Sequence, residues 1–192
     1  ETDGSVKWSV SSVDSSSGMT GSTLFDFDAD GNYEVIYGDQ NQLRVFEGST
    51  GRVLFSVPRA HGTGYEYPIV ADVDADGNAE IVYGAMARSG YPEPGIYVIG
   101  DANDTWVPTR QIWNQHSYHV TNVNDDGTIP QFESNSWEVH NTYRANLELN
   151  RSAFAAPDLT SSFIRTVTQG DNLSNNTVTV SNSGGGTLIY SL

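Results

Sequence analysis

The stretch Asp26-Phe27-Asp28-Ala29-Asp30-Gly31-Asn32-Tyr33-Glu34 returns 46 residues later as Asp72-Val73-Asp74-Ala75-Asp76-Gly77-Asn78-Ala79-Glu80. Each copy leads into a short β-type run that ends in Tyr-Gly, at Tyr37-Gly38 and Tyr83-Gly84. Carboxylates at alternate positions around a glycine turn are hard-oxygen ligands, and their mutual repulsion is relieved by a bound cation. The spacing of the two copies suits a blade-like repeat unit of about 40–50 residues. One motif therefore carries both a chemistry and an architecture.

In a D-x-D-x-D-G-x-x-E loop, alternate side chains converge as the backbone curls around one ion. Glycine at the sixth position permits the sharp turn, and a carbonyl and an acid further on complete the shell. The expected first set is Asp26, Asp28, Asp30, the carbonyl of Asn32, and Glu34. The expected second set is Asp72, Asp74, Asp76, the carbonyl of Asn78, and Glu80. Oxygen-only sets of this kind favour Ca2+ over softer transition metals. An EF-hand opens with the same spacing but needs a bidentate glutamate at position 12 and helices on both sides. Position 12 is Tyr37 in one loop and Tyr83 in the other, and both flanks are β-rich. The alternative is a pair of Asp-Gly turns that join strands and bind nothing. A third stretch, Asn122-Val123-Asn124-Asp125-Asp126-Gly127, keeps the spacing but has Pro130 in ninth place. It reads either as a degenerate cation loop using Asn122, Asn124 and Asp126 or as a plain hairpin turn at Asp126-Gly127.

Around the loops the pattern is all-β. The first unit offers strands at Ser22–Phe27, Tyr33–Tyr37, Gln42–Phe46 and Arg52–Val57, the content of one four-stranded antiparallel blade. The second repeats the order at Tyr67–Val73, Ala79–Tyr83 and Ile96–Ile99, with a Gly/Pro-rich insertion at Ser89–Gly95 and a fourth strand expected at Thr109–Trp113. Ser5–Val10 reads as a strand closing an earlier unit, Tyr118–Val123 as the start of a degenerate third, and Tyr143–Leu149 as a short turn of helix. The expected architecture is a partial β-propeller, two four-stranded blades plus remnants over residues 1–154. A linker follows at 155–157, and then the incomplete start of a β-sandwich at 158–192, where Thr177–Ser181 alternates as a half-buried strand does.

Composition narrows the function classes. With 24 acidic against 9 basic residues the net charge is −15, which argues against nucleic-acid or anionic-membrane partners. The absence of cysteine removes disulfides, thiolate catalysis and Cys-based zinc sites, so bound Ca2+ is the available staple. Glu1-Thr2-Asp3-Gly4 reads like the middle of a β-rich region, so the chain is expected to be part of a longer protein. His116 and His119 are spaced like some metal ligands but lack a third partner. On a strand their odd spacing would turn them to opposite faces. Trp106, Trp113, Tyr118 and Trp137 could line a sugar-binding surface or fill space between blades. Four N-x-[ST] sequons, at Asn103, Asn150, Asn172 and Asn175, are expected by chance in so Asn- and Ser-rich a chain. No catalytic constellation stands apart from the acidic loops.

The doubled loop and the following E-[VI]-[IV]-Y-G strands resemble the FG-GAP/VCBS repeats, the calcium-loop blades of integrin-α-like propellers, over roughly Ser5–Tyr118. Glu34 and Glu80 stand where many members have Asp, which preserves an oxygen ligand, and the Phe-Gly and Gly-Ala-Pro signatures are not clearly present. Arg110–Gly127 resembles the end of the propeller in large bacterial surface proteins, and the tail from Pro157 is similar to a bacterial cell-adhesion-related Ig-like domain. The resemblance implies a full propeller of about seven blades. It also implies a secreted or cell-surface bacterial module whose Ca2+ is structural. Its partners would be an extracellular protein or glycan together with the remaining blades of the parent chain. The alternative is the propeller portion of a calcium-dependent, lyase-like enzyme acting on polysaccharide.

Overall fold

The computed structural model describes residues 3–15, 18–140 and 142–149, together with the backbone of two short strands at 159–162 and 179–182. The chain divides into two units, residues 1–149 and 150–192.

In the first unit, four antiparallel strands form one sheet in the order β1 (Ser22–Phe25), β2 (Glu34–Gly38), β3 (Gln42–Glu47) and β4 (Val53–Pro58). Pairing Thr23 with Ile36, Ile36 with Val45 and Val45 with Phe55 puts these side chains in one row on one face. The second sheet has three strands, β5 (Ile69–Ala71), β6 (Glu80–Ala85) and β7 (Gly95–Ile99). In it Val70 pairs with Ile81 and Ile81 with Ile99. A single apolar core draws on both sheets: Phe25, Ile36, Leu43 and Val45 from the first, Val70, Ile81 and Tyr83 from the second. Phe27 and Trp106 are in contact at its end, with ring centroids 4.4 Å apart.

The alternation that marks half-buried strands thus produced sheets, but the second lacks the expected fourth strand. Thr109–Trp113 is not a strand. The Asp72 N–H donates to the Arg110 carbonyl (3.1 Å), which holds this segment beside the end of β5. The Arg110 guanidinium explains the detour. Buried, it donates to the Asp125 carboxylate (2.6 Å), the Tyr118 hydroxyl (3.0 Å) and the carbonyls of Val120 (2.9 Å) and Val123 (2.8 Å). A buried guanidinium needs such a set of acceptors to offset its desolvation.

Other local expectations also differ. Ser5–Val10 forms no strand and is fixed by Trp8, whose indole N–H donates to the Gly48 carbonyl at 2.8 Å. Within Tyr118–Val123 the chain makes one 3-10 turn, Val120–Asn122, instead of opening a strand. Tyr143–Leu149 forms no helix: the chain bends at Tyr143–Arg144, Ala145 bridges Leu24 in parallel, and buried Asn146 donates to the Val70 and Arg110 carbonyls. A single helical turn, α1, occupies Ser136–Val139. Among the described residues no helix is long and apolar enough to cross a membrane.

The Tyr-Gly ends of the two repeats meet at Arg59. This fully buried guanidinium donates to the carbonyls of Gly38 (3.3 Å), Asp39 (3.3 Å) and Gly84 (3.1 Å), stitching β2 of one sheet to β6 of the other. Gly38 is required by this approach: a Cβ there would lie 2.6 Å from the Arg59 Cζ.

In the second unit, β8 (Leu159–Ser162) pairs antiparallel with β9 (Thr179–Asn182). The expected linker at 155–157 lies outside the described residues, as do the sequons at Asn150, Asn172 and Asn175.

The Arg59 stitch yields a test. Gly38→Ala is expected to lower stability by about 1–3 kcal/mol through overpacking. Gly84→Ala, whose Cβ would meet only the His61 Nε2 at 3.9 Å, should change it little. Urea unfolding of the two variants measures the difference.

Candidate metal centre

The two acidic loops close equivalent hairpins, the first between β1 and β2 and the second between β5 and β6. They adopt the same backbone. Ala29 (φ 56°) and Gly31 (φ 87°) in one match Ala75 (φ 66°) and Gly77 (φ 94°) in the other. Glycine takes the left-handed region freely, whereas alanine there costs about 1 kcal/mol or more. Two alanines held at the same strained place show that the loop geometry overrides local preference.

The hydrogen bonds repeat as well. Asp26, buried, accepts from the backbone N–H groups of Asp30 (3.1 Å) and Gly31 (2.8 Å). Asp72, also buried, accepts from Ala75 (2.7 Å) and Gly77 (3.2 Å). Asp28 accepts from Asp30 at 3.2 Å and Asp74 from Asp76 at 3.3 Å. Asp30 and Asp76 accept from Asn32 (2.6 Å) and Asn78 (2.7 Å). The closing glutamates reach back across the hairpin, Glu34 to the Phe27 N–H (3.1 Å) and Glu80 to the Val73 N–H (2.9 Å).

These bonds use only part of each carboxylate's accepting capacity, which is about four lone-pair directions. Asp26, Asp28 and Asp30 bring one oxygen each within 4.8 Å of the others, and Asp72, Asp74 and Glu80 do the same. A Ca2+ with ligands at about 2.3–2.6 Å separates them by about 3–5 Å, so both clusters fit that ion. Glu34 lies outside the first compact cluster and Asp76 outside the second. The two glutamates carry the electrostatic signature of the arrangement. Burial, and then the neighbouring aspartates, push Glu80 up to about 7, and burial together with Asp28, Asp26 and Asp30 also raises Glu34.

Two contacts near the second loop had no signal in the motif itself. The Gln111 side-chain amide donates to the Asp72 Oδ2 at 3.2 Å, and the Arg110 carbonyl accepts from the Asp72 N–H. The signal available was Arg110, an isolated cation in an otherwise uncharged run from Thr105 to Val123. Near the first loop, Tyr33 is pushed up to about 12 by burial and by its hydrogen bond to Glu148.

The third acidic stretch behaves as a turn. The Gly127 N–H donates to the Asn124 carbonyl (2.9 Å), the Asn124 N–H to the Thr128 carbonyl (2.9 Å), and Asp126 accepts from the Thr128 N–H (3.0 Å). Asn122 points its amide back to the Ser117 carbonyl at 3.0 Å, and Asp125 is engaged by Arg110. Asn122 is thus turned away, while the Asn124 and Asp126 side chains both engage Thr128.

The histidines are likewise separate. His116 Nε2 meets the Tyr65 carbonyl at 2.8 Å, whereas His119 Nε2 meets Glu133 at 2.5 Å. Of the aromatic set, Trp106 packs on the core, Trp113 stacks on fully buried Tyr118 (4.5 Å), and Trp137 is 67% exposed.

Residues 26–83 match the FG-GAP-like repeat family. That span runs from the first residue of one loop to the Tyr-Gly end of the second repeat. Among solved structures, the biofilm matrix protein Bap1 of V. cholerae is similar, with 34% identity and a TM-score of 0.67 over 72% of this chain. The chain spans 24% of the length of that protein. No curated protein matches it.

The raised Glu80 sets a pH dependence. A carboxyl whose folded value lies above its ordinary range favours the fold below that range, and this contribution is lost as pH rises through about 7. In EDTA, the melting temperature is expected to fall between pH 5 and pH 8, and Glu80→Gln should flatten that fall. Millimolar Ca2+ should do the same for the unmodified chain, which thermal melts across this range will measure.

Proposed function

We propose that this chain is a calcium-stabilised β-propeller module of a secreted or cell-surface bacterial protein, serving adhesion to an extracellular protein or glycan. The observation that carries the reading is the pair of acidic loops at equivalent hairpins, each bringing three carboxylates close enough to share one ion. The four- and three-stranded sheets are two blades of a larger propeller, and the remaining blades of the parent chain are its immediate partners. Residues 158–192 begin an Ig-like sandwich that follows the propeller. Similarity to a biofilm matrix protein and the FG-GAP-like match support the extracellular, adhesive setting.

In this reading Ca2+ is structural. Asp26, Asp28, Asp30, Glu34 and the Asn32 carbonyl hold one ion, and Asp72, Asp74, Asp76, Glu80 and the Asn78 carbonyl hold the other. The ion supplies positive charge where carboxylates crowd and so fixes the hairpin that leads into β2 or β6. Extracellular modules of this kind bind at about 10⁻⁴–10⁻³ M, so occupancy follows external calcium.

Calcium at about a hundredfold excess over Kd should stabilise the fold by about 2.7 kcal/mol per site. A rise in melting temperature on titration is the expected result, reversed by EDTA. Asp28→Ala and Asp74→Ala should each remove part of the rise and together nearly all of it. An unchanged melting temperature in EDTA, with both variants behaving like the unmodified chain, would refute the structural role. A glycan and matrix-protein binding screen, read with and without Ca2+, then tests the adhesive part separately.

A further inference from the structure

The two repeats differ at one edge. In the first sheet the outer side of β3 is paired by β4 from Gln42–Pro58 to Phe46–Val53, with a register shift between Val45 and Phe46. Superposing the repeats on Ile36 and Val82 places Val98 of β7 where Val45 of β3 stands. Yet the chain leaves the second sheet after β7 through the Asp101–Asp104 turn. From there the Val107 N–H donates to the Phe27 carbonyl. Among the described residues no strand and no backbone hydrogen bond meets the outer edge of β7.

That edge is built to pair. Tyr97 stacks on Tyr83 at 5.2 Å and Ile99 packs against the core, which holds β7 in register. Ile96 and Val98, on the opposite face, are 82% and 53% exposed. Natural sheets usually blunt such edges with lysine, proline, a bulge or an inward charge. The run Gly95-Ile96-Tyr97-Val98-Ile99 itself has none of the side-chain devices; the prolines, Pro92 and Pro94, stand before its first residue.

The first sheet shows what chemistry fits there. β4 is apolar and lies between Arg52 and Arg59, and Arg52 pairs at the strand end with Glu47 of β3 at 2.8 Å. At β7, Asp101 stands one residue beyond the position equivalent to Glu47, and Glu93 precedes the strand at its other end. Both flanks are thus acidic, on a chain of net charge −15. A second copy of the same edge would set acid against acid.

We propose that the outer edge of β7 takes up, as a fourth antiparallel strand, an extended segment of a partner protein. The segment is apolar at alternating positions and basic at its ends. Main-chain hydrogen bonds would supply affinity, while the flanking acids favour a segment with basic ends and reject acidic ones. The inference is independent of the calcium reading, since it rests on pairing and charge at the far edge of the sheet.

The probe is the chain's own template, the peptide Arg-Val-Leu-Phe-Ser-Val-Pro-Arg of residues 52–59, fluorescently labelled and titrated with the full chain. A control peptide replaces both arginines by glutamate. Saturable binding with new hydrogen-exchange protection confined to 95–99 is expected, weakened at least about tenfold by the glutamate substitutions or by Ile96→Lys. Ile96 is solvent-facing, so an unchanged melting temperature certifies that variant's fold. Protection of 95–99 that is absent, binding indifferent to Ile96→Lys, equal affinity for the glutamate peptide, or protection that instead tracks dimerisation of the chain would each overturn the proposal.

Discussion

The interaction on which the structure turns is the capture of backbone N–H groups by two buried carboxylates, Asp26 and Asp72. Each folds its own loop by accepting from residues three to five positions ahead, and each thereby draws further acids into the same small volume. Such crowding opposes folding unless positive charge enters, and backbone dipoles alone leave Glu80 raised to about 7. The loop is therefore locally strained and electrostatically incomplete by the same geometry, which is the ground for proposing that a hard cation completes it.

From those loops the rest follows in order. The closed hairpins align β1 with β2 and β5 with β6, and the aligned strands present one apolar row each to a shared core. Two buried arginines then bind the pieces together. Arg59 joins the Tyr-Gly ends of the repeats through main-chain carbonyls, while Arg110 gathers the segment from Tyr118 to Asp125 and holds it near the second loop. In so acidic a chain these two cations are spent on internal acceptors.

The loops and most strands were legible in the sequence because their signals are local. Period-two alternation and D-x-D-x-D-G spacing depend on neighbours a few residues away, so Gln42–Glu47 and Glu80–Ala85 could be anticipated to within a few residues. The misplaced elements depend on distant partners. Thr109–Trp113 alternates well enough for a strand, but Arg110 finds its acceptors 8 to 15 residues further on and pulls the segment inward. Trp8 is fixed 40 residues away at Gly48, and Asn146 reaches back 76 residues to Val70. In the acidic loops, the residue types and spacing were readable, but not which acids come closest together: Glu34 stands outside the first compact cluster and Asp76 outside the second.

The central claim is that each acidic loop holds one calcium ion. Equilibrium dialysis of the full chain at millimolar Ca2+ counts those ions directly. Two per chain, falling to one in Asp26→Ala or Asp72→Ala and to none in the double variant, is the predicted result. No calcium above background in the unmodified chain, or a count that these substitutions leave unchanged, would contradict it.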